Sequence, residues 1–297
     1  MKAKALFRLL ITAAALSLAA CSHLPQPPDA AGSRLDLPPV TEPATGRHHP
    51  GKIVWHDLLT PDLQGAEAFY GALFGWSFRT RGDERVIYHQ GHAIGGLLPI
   101  RPERRDGVPA QWLVVMSVPE LETAATRVPA LGGRVINGPM DLGPRGRALL
   151  VSDPAGAHLV LLDSPHGDPD DHRPAPGDWL WNEVWTLDPA PEVRFYEPLG
   201  RYERVIQGAD YRILVNEGRW RAGIRQIRQA PFAGRWVPVV RVADPARSAE
   251  LVQALGGTLW LRPGEGGAGP DTALIADPAG ALLILQRWTF VSDQGGQ

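Results

Sequence analysis

A single cysteine in 297 residues excludes an intrachain disulfide and any cysteine-based metal centre. Charge is short as well: 30 Lys and Arg stand against 32 Asp and Glu, a net of −2, which gives no basic face for nucleic acid. No glycine-rich phosphate loop and no nucleophile elbow occurs. After the first twenty-one residues no apolar run is long enough to cross a bilayer. The acidic run from Asp168 to Asp171 lacks the glycine and distal glutamate of a calcium loop and reads as solvated linker. Tryptophan and proline, by contrast, are plentiful, at 10 and 29 residues.

Lys2, Lys4 and Arg8 open the chain, residues 9–16 form a short apolar stretch, and Leu18-Ala19-Ala20-Cys21 ends it. The layout is that of a secretory signal, too short for a stable span. Its last four residues resemble a bacterial lipobox, which implies cleavage before Cys21, acylation there and a firm membrane anchor. Ser22 stands where lipoproteins kept at the inner membrane carry Asp, so the resemblance points to the outer membrane, facing the periplasm. Residues 22–50 are rich in Pro, Ala and Gly and are expected to be a tether. The flexible pair His48 and His49 within it is a poor metal site.

The rest of the chain is a repeat. Trp55-His-Asp57-Leu-Leu-Thr60-Pro-Asp62 with Phe69-Tyr70 returns as Trp181-Asn-Glu183-Val-Trp-Thr186-Leu-Asp188 with Phe195-Tyr196, an offset of 196 − 70 = 126. Leu131-Gly-Gly133 returns as Leu255-Gly-Gly257, an offset of 255 − 131 = 124, and Asp153-Pro-Ala-Gly-Ala157 returns as Asp277-Pro-Ala-Gly-Ala281 at the same offset. Landmarks that keep order and spacing indicate a duplicated domain. Within each copy the apolar pattern alternates between period 2 and period 3.6. It predicts a strand over 53–60, a helix capped by Asp62 and ended by Gly75, then strands near 76–79, 85–89 and 93–100. A second unit follows: strand 112–118, helix 120–131, strands near 134–136, 147–151 and 158–162. Residues 51–164 therefore hold two strand-helix-three-strand units, 165–178 a linker, 179–290 two more units, and 291–297 a tail. In the second copy Pro189, Pro191 and Pro198 are expected to interrupt the first helix, while Asp244-Pro245 caps the second.

Tandem units of this kind, with the Trp-x-acid-Leu opening, Leu73-Phe-Gly-Trp76 and an Asp-Pro-x-Gly hairpin before the last strand, resemble the vicinal oxygen chelate superfamily of glyoxalases, extradiol dioxygenases and bleomycin-resistance proteins. The resemblance implies an α+β fold of two tandem glyoxalase-like domains, each curling its strands around a concave cavity. Its enzymes hold a divalent metal through His and Glu on the first and last strands of each unit. On this chain those positions fall at Trp55, near Gly96, near Leu113 and at Val160, and in the second copy at Trp181, near Gly223, near Val237 and at Ile284. None is a carboxylate or an imidazole, so no cofactor is expected. His56 has the opposite parity to Trp55 and should face away from the cavity. A displaced metal set of Asp57, His92 and His158 is the variant that remains.

Alternation places Trp55 and Asp57 on the concave face of the first domain beside His158, and Trp181, Glu183 and Trp185 on that of the second. His92, matched by Arg219 in the second copy, sits on a strand that could line a pocket mouth. The tryptophans either stack on a planar or cationic ligand or fill the vacated metal site as core, and the acids either orient that ligand or pair with a buried arginine. The reading is of a lipid-anchored envelope protein of two metal-free domains that binds a small organic molecule, with Trp55, Asp57, His92, His158, Trp181, Glu183 and Trp185 as candidate ligand contacts. A metal-dependent lyase, isomerase or dioxygenase is the enzyme alternative, and an envelope protein-interaction module is the third. Oligomeric state is open.

Overall fold

The computed structural model describes residues 36–100, 110–266 and 269–290. Cys21 and the signal segment lie outside them, as does the tail after residue 290. The first domain forms one eight-stranded sheet in the order β2-β3-β4-β1-β5-β8-β7-β6, with β1 Ile53–Thr60, β2 Ser77–Arg81, β3 Glu84–His89, β4 His92–Pro99, β5 Gln111–Ser117, β6 Arg134–Asp141, β7 Arg147–Ser152 and β8 His158–Asp163. The second repeats it as β10-β11-β12-β9-β13-β16-β15-β14, with β9 Trp179–Thr186, β10 Arg204–Gln207, β11 Tyr211–Asn216, β12 Arg219–Gln226, β13 Arg235–Arg241, β14 Thr258–Leu261, β15 Thr272–Ala276 and β16 Leu282–Gln286. Each unit closes on a parallel pair, β1 with β4 and β5 with β8, and the units join through antiparallel β1 and β5.

Helix α1, Leu63–Phe74, starts because the Asp62 carboxylate accepts from Gly65 N at 2.9 Å, and stops because Gly75 takes φ +72°. Helix α2 spans Leu121–Ala130 and α4 spans Pro245–Ala254, the latter capped by Asp244 on two amides. The expected break in the helix after Asp188 does not occur. Helix α3 runs unbroken over Pro189–Leu199, since Pro189 and Pro191 fall in the first turn, where amides have no helical partner, and Pro198 falls in the last.

Each helix turns an apolar side inward and leaves its other side exposed. The apolar sides meet between the two sheets, in two cores that are each shared between domains. One core joins β5, β7, β8 and α2 of the first domain to α3, β11 and β12 of the second. Its counterpart joins β1 and α1 to α4, β13, β15 and β16. The repeated landmarks are the contacts that make this exchange. Tyr196 donates to Asp153 Oδ2 at 2.9 Å, and Tyr70 donates to Asp277 Oδ2 at 3.0 Å. A Cβ on Gly133 would stand 2.5 Å from the Phe195 ring, and one on Gly257 would stand 2.8 Å from Phe69. Each copy's hairpin aspartate and helix-end glycine thus receive the other copy's Phe-Tyr pair.

The tether expected over 22–50 is folded from Asp36 onward. Leu37 and Val40 are buried on the concave face of the first sheet, among Val54, Val86, Val115, Ala148 and Leu162. Leu37 N donates to Leu142 O at 3.1 Å, and Thr45 and Gly46 both donate to His166 O. Low overall hydrophobicity concealed two large apolar residues spaced to plug a concave sheet.

Candidate functional site

In the first domain the concave face is filled, and only its edge at Val40, Val54 and Trp55 borders open space. Trp55 is 1 % exposed, and its Nε1 donates to Asp57 Oδ1 at 2.9 Å. Arg145, from the turn before β7, donates Nη1 to Asp57 Oδ2 at 2.8 Å and Nε to Pro38 O at 3.0 Å, with its guanidinium 4.8 Å above the Trp55 ring. Gly96, paired with Asp57 in the sheet, leaves the room the acid needs, for a Cβ there would sit 2.5 Å from Asp57 Oδ1. Trp55 and Asp57 are therefore packed and paired here, under the plug of Leu37 and Val40. His92, at the β3–β4 hairpin, and His158, at the start of β8, are exposed. The structure does not bring them together with Asp57, and among the described residues no three His, Cys, Asp or Glu are grouped to hold a metal.

The second domain copies the acid but not the plug. Glu183 accepts from Arg225 Nε at 2.6 Å and Nη2 at 2.8 Å, from Tyr211 at 3.0 Å and from Trp185 Nε1 at 2.9 Å. Trp181 Nε1 donates to the Tyr211 hydroxyl at 2.6 Å. Burial, and then the Glu183 charge, push the Tyr211 phenol well above its usual range, so it stays a neutral donor. Four donors saturate Glu183; it holds Tyr211, Arg225 and Trp185 in place. Trp185 is buried on this face, while Trp181 keeps an edge free.

The residues at or near the family-type metal positions offer no imidazole or carboxylate donor. The eight positions hold Trp, Gly, Leu, Val and Ile, and the two acids nearest them have their oxygens committed to Arg145 and Arg225.

Of those positions, Trp55 and Trp181 border open space. A cleft of about 740 Å³ runs from the concave face of the second domain across the starts of β9 and β1. Trp181, Tyr211 and Trp220 line one side, linker residues 169–172 another, and Trp288 with Phe290 a third. Trp220 is 56 % exposed, with its ring 6.5 Å from that of Trp181 and edge-on to it. Sequence reasoning missed Trp220, Tyr211 and the linker. The signal was Arg219-Trp-Arg221 on the strand matched to His92, an aromatic between two cations that looks like any solvated hairpin.

His56 faces away from the concave cavity, as its parity requires, and reaches the cleft from behind. It stacks on Trp179 at 4.0 Å, and its Nε2 lies 2.7 Å from Asn182 Oδ1, its own repeat partner at 182 − 56 = 126. Trp179 escapes simple alternation because a one-residue bulge shifts the register between it and Trp181, matching a bulge between Ile53 and Trp55. Burial lowers the His56 pKa to about 4, against the Asn182 hydrogen bond and the Asp178 charge that raise it. A depressed imidazole refuses a proton that the unfolded chain accepts below pH 6.5, so its contribution to stability is lost as pH falls from 6.5 towards 4. Relative to a His56→Gln variant, the wild-type protein should lose about 2–3 kcal/mol between pH 7 and 4.5 in urea unfolding. A constant gap would mean that the buried ring protonates freely.

Comparison with known proteins agrees with this architecture. Residues 52–161 match the sequence profile described as "Glyoxalase/Bleomycin resistance protein/Dioxygenase superfamily". "Putative glyoxylase CFP32" of Mycobacterium tuberculosis (strain CDC 1551 / Oshkosh) is 25 % identical over 255 residues, covering 82 % of this chain and 98 % of the relative. "Anthracycline biosynthesis protein DnrV" of Streptomyces peucetius is 25 % identical over 278 residues, covering 84 % and 98 %. Among solved structures, the Mn(II)-bound glyoxalase from Novosphingobium aromaticivorans superposes with a TM-score of 0.57 at 15 % identity, over 80 % of this chain and 82 % of that one. Residues 52–161 thus match the glyoxalase/bleomycin resistance/dioxygenase superfamily, and the two domains, packed through their helices, share the fold of its solved members.

Proposed function

We propose that the protein binds a flat organic molecule in the cleft beside the second domain, without a family-type metal, and that it does so at the cell envelope, held by acylated Cys21. The observation that carries the binding reading is the contrast between the two domains. The first domain's concave face is filled by Leu37, Val40 and the Trp55–Asp57–Arg145 set, while the second's opens into about 740 Å³ walled by Trp181, Tyr211 and a half-exposed Trp220. That volume suits a drug-sized ligand, and an exposed indole edge-on to another supplies a face for a ring. The relative named for anthracycline biosynthesis makes polycyclic aromatics the first class to try. A metal-dependent lyase, isomerase or dioxygenase would need imidazole or carboxylate donors where this chain has Trp, Gly and aliphatic residues. Glu183, saturated by four donors, is no free base.

The test is quenching of tryptophan fluorescence by naphthalene- and anthraquinone-based probes. Trp220→Ala should weaken binding roughly five- to thirtyfold, the worth of one stacking contact, and leave thermal stability unchanged because the ring is exposed. Unchanged affinity in Trp220→Ala, or stoichiometric Mn, Fe, Ni or Zn in the purified protein, would end this reading. The envelope anchor is tested separately: Cys21→Ser should move the protein from the membrane to the soluble fraction, and unchanged fractionation would refute it.

A further inference from the structure

Three cations converge on one side chain of the interdomain linker. Asp171 lies between β8 and β9 in a stretch with neither helix nor strand. Its Oδ1 is 2.8 Å from Lys52 Nζ and 2.8 Å from Arg221 Nη1, and its Oδ2 is 3.0 Å from Arg221 Nη1 and 3.1 Å from Arg219 Nε. The cations are built in: Arg221 and Arg219 project from β12, Lys52 leads into β1, and the Arg221 side chain is 4 % exposed. Glu217 takes Arg221 Nη2 at 2.9 Å and is shared with His49 Nδ1 at 2.7 Å. Lys52, Arg219 and Arg221 thus face two carboxylates, and one positive charge is left over. All three cations and Asp171 line the cleft, and Trp220 sits between the two arginines in sequence.

Two of the cations are buried, and a buried guanidinium or ammonium without an anion costs several kcal/mol. Of the three cations Glu217 serves Arg221 Nη2 alone, so Lys52 and Arg221 Nη1 need a second carboxylate, yet the one they have, Asp171, is on an irregular segment and is 28 % exposed. Resting on the binding reading above, we propose that the cleft's ligand is an aromatic anion, a ring carrying a carboxylate, and that Asp171 is the internal stand-in which that carboxylate displaces. The ring lies against Trp220 and Trp181, and the anionic end meets Arg219, Arg221 and Lys52. Ligand entry then swaps one carboxylate for another, so the buried cations are never left bare, and neutral aromatics forgo this exchange.

The experiment compares 2-naphthoate with its neutral isostere 2-naphthamide on the purified full-length protein and on Asp171→Ala, by calorimetry and fluorescence. Removing the internal competitor should tighten 2-naphthoate about tenfold and leave 2-naphthamide unchanged. Arg219→Gln, at a side chain 64 % exposed and so tolerant of change, should weaken 2-naphthoate several-fold and spare the amide. If Asp171→Ala proves too unstable to titrate, the Arg219→Gln comparison decides. Equal affinity for both probes in all three proteins, or weaker naphthoate binding in Asp171→Ala, overturns the anion-exchange inference and leaves the aromatic cleft standing. If neither probe binds any of the proteins, both readings fall.

Discussion

Arg145→Met is expected to lower stability by about 3–5 kcal/mol, because it strands the Asp57 carboxylate at the centre of the first domain. Arg145 and Asp57 have side chains only 2 % and 6 % exposed, and water cannot replace the lost guanidinium. The same substitution frees Pro38 O, one of the bonds that seats the 36–40 segment, and removes the cation above Trp55. Burial already raises the nearby Glu84 carboxyl to about 7, with Arg145 opposing that rise, so losing the arginine worsens a second acid. Urea unfolding measures the loss. Asp57→Leu combined with Arg145→Met should recover much of it, since a buried ion pair replaced by apolar groups is often near neutral. What remains is the Trp55 indole N–H left without an acceptor, about 1–3 kcal/mol. A single Arg145→Met costing under about 1 kcal/mol would show that the cavity is hydrated and the plug loosely held.

The contrast between Asp57 and Glu183 shows where sequence reading succeeds and where it stops. Period and spacing locate both acids on concave faces because strand alternation is a local property. Whether each acid meets a ligand or an arginine depends on chain segments far away in sequence: Arg145 is 88 residues from Asp57, and Arg225 is 42 from Glu183. The plug was hidden for the same reason, as the partners of Leu37 lie on β1, β3, β5, β7 and β8. The bulge before Trp55 and Trp181 moved Trp179 to the opposite face, and no residue in Trp179-Leu-Trp181 announces it. The helix boundaries, in contrast, were readable from caps alone, at Asp62, Gly75 and Asp244, where a side chain meets its own turn. The repeat was legible as a pattern while its cause was not. Phe-Tyr, Gly-Gly and Asp-Pro-x-Gly recur together because each copy's pair docks on the other copy's glycine and aspartate.

That reciprocity makes Asp277→Ala the second large effect, about 4 kcal/mol. Asp277 Oδ1 accepts from Ala279 N at 2.9 Å and Ala281 N at 2.8 Å, and Oδ2 accepts from Tyr70 at 3.0 Å. Alanine leaves two buried donors, Ala281 N and the Tyr70 hydroxyl, without acceptors at about 1–3 kcal/mol each, and the half-buried Ala279 amide besides. Burial raises the Asp277 carboxyl, and pushes its counterpart Asp153 up to about 6, yet the amides and the tyrosine need the oxygens whichever protonation state prevails. Asp277→Asn should cost less, for its Oδ1 still serves both amides and only the Tyr70 hydroxyl loses its acceptor, its oxygen receiving Nδ2 beside Trp112 Nε1 at 3.2 Å. Because Tyr70 and Asp277 belong to different domains, the loss should appear as one cooperative transition at lower urea for both, not as early melting of residues 179–290 alone. In a double-mutant cycle, Tyr70→Phe should add little to Asp277→Ala, whereas Tyr196→Phe, which breaks the other pair, should add its full cost. Separate transitions for the two domains, or full additivity of Tyr70→Phe with Asp277→Ala, would mean that the exchanged contacts do not bind the copies into one folding unit.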